Sequence, residues 1–185
     1  MSQDLLQMMN EIVNIRSYQD KAIPEKVLKS MYQAFGMGPT SISTQARELL
    51  VIEGQEGCKQ VVAATLDPYL TKESFGAQSW LVQAPFIGVV LLEKRRAQAR
   101  IGEAGIAIAL QEAEAAIQNF RLLARSEGLA TASVREFDAA TLQLNLQLPW
   151  YMLPIAILTA GYSDQVIDIP PRFSLEELVS KGEWK

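Results

Sequence analysis

The chain has 185 residues, 49% hydrophobic and 21% charged, with a formal net charge of −4. This is the balance of one globular domain with a real core, and the negative charge gives no electrostatic reason to expect nucleic acid as a partner. Histidine is absent and cysteine occurs once, as Cys58, which excludes an intrachain disulfide, an all-cysteine metal site and any Ser–His or Cys–His nucleophile.

The first residues, Met1 to Leu6, lack the basic and apolar regions of a signal peptide, and no uncharged apolar run reaches the ~20 residues needed to span a bilayer. A soluble cytoplasmic protein is therefore expected, with no membrane partner and no metal. Leu5, Leu6, Met9, Ile12 and Val13 stand at helical spacing and predict a helix over residues 3–13. Ile23-Pro24-Glu25 opens a second helix with proline at its first position, where a missing N–H costs nothing. Its stripe is Val27, Leu28, Met31, Ala34 and Phe35, and Gly36 and Gly38 are expected to end it in the left-handed conformation. Residues 39–43 form a polar loop, residues 49–52 a short strand and residues 58–66 a helix. The stretch from Asp67 to Gly76, with its proline and glycine, is the expected place for any lid.

Residues 86–92 are a continuous apolar run of strand length, as in a strand covered on both faces. Lys94, Arg95, Arg96 and Arg100 read as a solvated turn or helix start. A long helix follows over residues 103–127, closed by Gly128, with Ile106, Leu110, Ala113, Ile117, Phe120 and Ala124 stepping by threes and fours. Alanines and Gly105 cover much of its remaining surface, so it is expected to be a central, buried helix. Leucines 142, 144, 146 and 148 alternate with polar residues as in a strand, yet Asp138 has the character of a helix N-cap, and both readings stay open. Residues 155–159 form another buried strand. The tail, about 163–185, reads as an extended arm with an N-cap at Ser174 and a short last helix. The order gives an α+β, or mixed α/β, single domain over residues 1–185 with a C-terminal arm.

Four stretches in this order resemble the nitroreductase family of flavin enzymes. Asn14-Ile15-Arg16-Ser17-Tyr18, leading into Asp20-Lys21-Ala22-Ile23-Pro24, is similar to its Arg-Arg-Ser-x-Arg segment. Pro39 to Gln45 is similar to Pro-Ser-x-x-Asn-x-Gln, and Gln118 to Ala124 with Gly128-Leu129 to Gln-Asn-Leu-x-Leu-x-Ala and its Gly-Leu. Gly161-Tyr162 and Arg172 to Glu177 are similar to the closing Gly-Tyr and Arg-x-x-Leu-Glu-Glu. The resemblance implies a central β-sheet flanked by helices, a long buried helix, and an intertwined homodimer with FMN across its interface.

It also implies site residues. Arg16 and Arg172 would take the phosphate, since the guanidinium fork matches phosphate oxygens. Asn14, Ser17 and Gln45 would hold the ribityl chain or ring, with Thr40, Ser41 and Ser43 beside them. No side chain is expected to act as an acid or base, because the flavin carries the redox chemistry. The match departs from the family in four places. A family phosphate arginine is replaced by Ile15, or by Ile12 and Val13 in the other register. Ser43 stands for Asn, Ala46-Arg47 for Pro-Trp, and Ser133 to Phe137 for a stretch that carries Gly near the flavin. Each candidate also has a plain reading: Arg16 as an exposed cation, Arg172 as a tail anchor, Ser43 and Gln45 as loop hydrogen-bonders. Trp80, Trp150 and Tyr151 read as core or interface anchors before substrate contacts, and Cys58 as a small buried residue. Two functions are thus expected: an FMN oxidoreductase passing electrons by a ping-pong route from NAD(P)H to a nitro, quinone-like or other electron-poor acceptor, or a degenerate flavin-free dimer that binds a small molecule or a partner.

Overall fold

In the computed structural model four strands, β1 (Arg47–Val51), β2 (Phe86–Glu93), β3 (Ala130–Val134) and β4 (Met152–Gly161), pair antiparallel in the order β1-β2-β4-β3. Residues 2–166 and 168–184 are described; Met1, Ile167 and Lys185, the last two within the expected arm, lie outside the described residues. Every residue of β2 is buried because both faces of the sheet are covered. On one face Phe86 and Val90 pack against Met31, Phe35, Ile117 and Phe120, and on the other Ile87, Val89 and Leu91 pack against Val61, Leu81 and Leu142. Alternating residues thus enter two different cores, which is why the sequence run shows no period of two. Pro154 sits in β4 without an N–H to give. The β2–β4 register shifts at Val90/Leu91 beside it, and β3 pairs only from Ile157 onward, so proline stands at a bulge with one free edge.

The helices are α1 (Ser2–Asn10), α2 (Glu25–Gly36), α3 (Gly54–Ala63), α4 (Lys94–Gln98), α5 (Ala104–Ser126), α6 (Ala139–Asn145) and α7 (Leu175–Leu178). Several expectations need correction. Pro24 is the residue before α2 rather than its first helical residue, and α2 ends at Met37 with φ of −77°, without a left-handed glycine. Gly38 is needed for space instead: a Cβ there would lie 2.6 Å from the Cβ of Ala116. Gly128 does end α5 in the left-handed conformation, with φ of +76°. The buried face of α5 is Gly105, Ala109, Glu112, Ala113, Ala116, Ile117, Phe120 and Ala124, whereas Leu110 is exposed and Ile106 half-buried. Within one chain α5 therefore covers the sheet with one face, and its other face is exposed.

Residues 139–145 are helical. Asp138 accepts from the Thr141 N–H at 2.7 Å, and Leu142 alone of the leucine series is fully buried. Strand β3 had no strong signal in Ala130 to Val134. After β4 the chain runs as an exposed arm, with Ser174 and Glu177 forming a capping box at α7. Among the described residues no helix is long and apolar enough to cross a membrane.

Candidate functional site

Segment 14–18 runs along the free edge of β3. The Ile15 N–H donates to the Thr131 carbonyl at 3.0 Å, and Asn14 forms a parallel bridge with Thr131. The Asn14 side-chain amide then imitates a peptide: its Nδ2 donates to the Ser133 carbonyl at 3.3 Å and its Oδ1 accepts from the Ser133 N–H at 3.1 Å. Tyr18 anchors the segment. Its hydroxyl donates to the Ile15 carbonyl at 2.7 Å, so its 2.7 Å contact with buried Thr159 Oγ1 is a bond that Thr159 donates. Burial pushes the Tyr18 pKa up to about 12, against the opposing effects of the Thr159 hydroxyl and Arg121. With Ile15 and Tyr18 turned inward, Arg16 and Ser17 face solvent. The Arg16 N–H donates to Gln165 Oε1 at 3.4 Å.

Behind this segment stands Arg121 of α5. Its Nη2 donates to the Val13 carbonyl at 2.9 Å and to Asn14 Oδ1 at 3.1 Å, and its Nε donates to Thr131 Oγ1 at 3.1 Å. Burial and the neighbouring Arg135 both pull its pKa down. Arg135, just past the end of β3, donates from Nη2 to both carboxylate oxygens of Glu114 at 2.9 and 2.7 Å and from Nη1 to Ser133 Oγ. The Arg135 N–H is occupied by the carboxylate of Glu136 at 3.0 Å, and the Glu136 carbonyl accepts from the Leu66 N–H at 2.8 Å. A cavity of about 50 Å³ lies beside segment 14–18, lined by Val13, Ile15, Arg125 and Thr131 among others. That is far below the ~300 Å³ and more of a ligand pocket, so this chain alone does not enclose a ligand there.

The second group of candidates lies in the loop between α2 and β1. Ile42, Ser43 and Gln45 all have positive φ (54°, 54° and 44°), each costing roughly 1–3 kcal/mol in a residue that is not glycine. Surrounding groups hold this conformation. Thr40 Oγ1 accepts from the Gln45 N–H at 2.9 Å, and buried Glu112 of α5 accepts from the Ser41 N–H. Arg47 donates to the carbonyls of Pro39, Gly38 and Gly36 at 2.7, 2.6 and 3.3 Å. Burial lowers the Arg47 pKa and Glu112 raises it. Strain of this kind persists only where the surroundings over-determine it, and it concentrates at functional sites.

Asn14, Arg16, Ser17, Thr40, Ser41, Ser43, Gln45 and Arg172 are all exposed, but they form three groups. Asn14, Arg16 and Ser17 share one surface with Arg121. Thr40, Ser41, Ser43 and Gln45 share another, tied to Glu112. Arg121 and Glu112 are nine residues apart on α5, which at about 3.6 residues per turn is two and a half turns, so the two groups sit on opposite sides of the helix. Arg172 lies on the arm, and no hydrogen bond among the described residues ties it to either group. Sequence reasoning missed Glu112, Arg121 and Arg135 as site-forming residues. The one legible signal was a cation at position 121, four residues past Ile117 and three before Ala124, within the spacing of the buried stripe.

A family profile described as Nitroreductase family matches residues 14–162. Solved structures share the fold. A protein of Desulfovibrio desulfuricans assigned as a nitroreductase and solved in complex with FMN is 25% identical, with a TM-score of 0.79 over 98% of each chain. A nitroreductase family protein of Clostridium difficile is 22% identical, with a TM-score of 0.80 over 97% of this chain and 98% of its own. The NADPH:FMN oxidoreductase of Vibrio harveyi, complexed with NAD+, is 17% identical, with a TM-score of 0.83 over 98% of this chain and 78% of its own. No curated protein matches by sequence. The profile covers both exposed groups flanking α5 and ends beyond β4, and on that span the chain belongs to the nitroreductase family of oxidoreductases.

Proposed function

We propose that this protein is a cytoplasmic FMN-dependent oxidoreductase, a homodimer that takes reducing equivalents from NAD(P)H and passes them by a ping-pong route to a nitro, quinone-like or other electron-poor organic acceptor. The observation that carries it is the separation of the polar candidate residues onto opposite sides of α5. In the proposed dimer a second copy covers the exposed face of α5, and each flavin site draws on the Asn14–Ser17 group of one copy and the strained loop of the other. The arm supports the same assembly. Val166, Phe173, Leu175 and Trp184 are 86%, 72%, 74% and 92% exposed, an apolar series that a lone chain leaves in water. The Vibrio harveyi and Desulfovibrio desulfuricans relatives, described with FMN chemistry or FMN bound, point the same way.

The residues present suit the cofactor. Arg16 and Arg172 are exposed cations for a phosphate, and Asn14, Ser17, Thr40, Ser41, Ser43 and Gln45 are exposed polar groups for a ribityl chain and ring edge. Bound FMN supplies the electron transfer, and the chain's part is to hold and orient it and to keep the slot above it open to one substrate at a time. The pinned loop does so at low entropic cost, because Glu112, Arg47 and Thr40 have already set its shape.

One observation favours the flavin-free reading. Where the family has glycine near the flavin, Glu136 places a carboxylate on the Arg135 N–H. Two measurements on the purified protein separate the readings: its visible absorption spectrum and its mass by sedimentation. A yellow dimer that releases FMN on heating bears out the proposal. A colourless protein that takes up no added FMN overturns it and leaves the scaffold with another ligand.

A further inference from the structure

Arg121 is a largely buried cation whose hydrogen-bond partners are all neutral and whose charged neighbour Arg135 repels it. Its three hydrogen bonds end on the Val13 carbonyl, Asn14 Oδ1 and Thr131 Oγ1. The carboxylate that acts on it, Glu114, takes both of its oxygens to Arg135 Nη2, and Glu11 is taken by Arg125. Among the described residues no carboxylate pairs with Arg121. Burying a guanidinium without an acid is costly, and such a group is kept where something else balances its charge. Its Nε and Nη2 are the donors in those bonds, and Nη1 is in none of them. Every buried side-chain nitrogen and oxygen among the described residues has a partner, so Nη1 reaches solvent. It does so beside exposed Asn14, two residues from exposed Arg16.

We propose that Nη1 of Arg121, with Asn14 and Arg16, forms an anion subsite that takes the phosphate monoester end of the flavin nucleotide. The inference rests on the flavin reading above. It gives a structural answer to the missing phosphate arginine of segment 12–15: the cation comes from α5, reaching the same backbone from behind. A guanidinium fixed by three bonds at its other nitrogens has already lost its rotamer freedom, so a phosphate oxygen arriving at Nη1 meets a preset donor.

The test compares FMN with riboflavin, which differ only in the phosphate, by fluorescence titration of the wild-type protein, Arg121→Gln and Arg121→Lys. A charge-assisted hydrogen bond lost from the phosphate predicts that Arg121→Gln binds FMN about 10- to 100-fold more weakly while riboflavin affinity stays unchanged. Arg121→Lys, which keeps the charge, recovers part of the loss. Equal weakening of both flavins, or unchanged FMN affinity, overturns the proposal and leaves the flavin reading intact. If the wild-type protein takes up neither flavin, the probe becomes inorganic phosphate. A phosphate-dependent rise in melting temperature that Arg121→Gln abolishes keeps the anion subsite and sinks the flavin reading, and no such rise sinks both. Should Arg121→Gln fail to fold, the Arg121 Nε–H resonance of the wild-type protein is followed during the FMN and phosphate titrations. A shift at stoichiometric ligand supports the assignment, and an unmoved resonance overturns it.

Discussion

Replacing Tyr18 by phenylalanine removes one oxygen from the junction that presents segment 14–17. The ring still fits, since only the hydroxyl goes, but two hydrogen bonds are lost: the one Tyr18 donates to the Ile15 carbonyl and the one Thr159 donates to Tyr18. Thr159 is fully buried, so its hydroxyl is left without a partner. An unsatisfied buried group costs about 1–3 kcal/mol, and with the second bond the expected loss of stability is about 2–3 kcal/mol. A pH arm sharpens the test. The folded Tyr18 pKa is raised from the ordinary 10.0 to about 12, so the folded state holds this proton more tightly than the unfolded chain. The matching stability is fully present below pH 10 and is lost as pH rises through the folded value near 12. At about 1.4 kcal/mol per unit this amounts to roughly 2–3 kcal/mol. Tyr32 is also raised, by burial and then Glu53, so the readout is the difference between the two proteins and not the wild-type curve. Urea denaturation between pH 7 and pH 12, with unchanged slope, measures both arms. A Tyr18→Phe protein within about 0.5 kcal/mol of the wild type at pH 7, the scatter of ordinary surface substitutions, refutes the anchoring role. So does an alkaline loss equal in the two proteins.

Two further outcomes concern the strained loop. Glu112→Ala strips the acceptor from the Ser41 N–H and the counter-charge from Arg47, for an expected loss of about 1–3 kcal/mol and weaker flavin uptake; Glu112→Gln, which keeps the acceptor, loses about half as much. Denaturation and flavin titration of both variants check this, and equal effects would place the role in the charge alone, since glutamine keeps both the acceptor and the volume. Gly38→Ala drives a Cβ to 2.6 Å from the Ala116 Cβ and 2.9 Å from Arg47 Nη2, an overpacking expected to cost about 1–3 kcal/mol. Ala116→Gly in the same protein should return part of that loss in a thermal melt, and no recovery would show that the clash lies elsewhere.

Elements whose signal is local were legible. The long helix follows from its spacing and Gly128, the buried strand from its unbroken apolar run, and the α7 cap from Ser174. The alternating leucines were ambiguous because period and cap disagreed. The cap wins because the polar partners of that series are used for tertiary bonds: Asn145 Nδ2 donates to the Gln60 carbonyl, and Gln143 Nε2 to those of Pro149 and Met152. Leu144 is 77% exposed as a result. β3 escaped notice because Ala130 to Val134 is short and mostly small, and its strand state is imposed by β4 on one side and segment 14–15 on the other. The site divides in the same way. Exposed polar positions came from the resemblance, but two of the groups that shape them, Glu112 and Arg121, act through contacts dozens of residues away along the chain, and Arg47 acts across the loop itself. A charged residue read alone is a surface residue. Only the fold shows which acids are already taken.

Glu136 is where fold and cofactor readings pull apart, and Glu136→Gly decides between them. Its carboxylate now satisfies the Arg135 N–H, and its carbonyl is pinned by the Leu66 N–H, so the backbone stays in place when the side chain is removed. Glycine adds chain entropy to the unfolded state, and stability should fall by about 0.5–1 kcal/mol. In return the Arg135 N–H is freed as a donor, and the volume of a carboxylate side chain opens beside it. If a flavin binds against this backbone, one new hydrogen bond is worth about 0.5–1.5 kcal/mol, or up to about tenfold in affinity. Glu136→Gln keeps the bulk and the acceptor and should gain nothing, which separates release of the N–H from loss of charge. A Glu136→Gly protein that loses stability yet binds flavin no better would mean that this backbone does not face the cofactor. Glu136 would then be a local cap on Arg135 and no longer evidence for a lost site. A gain confined to the glycine variant would show that the chain binds flavin in spite of Glu136, with the carboxylate acting as a competitor that the ligand must displace.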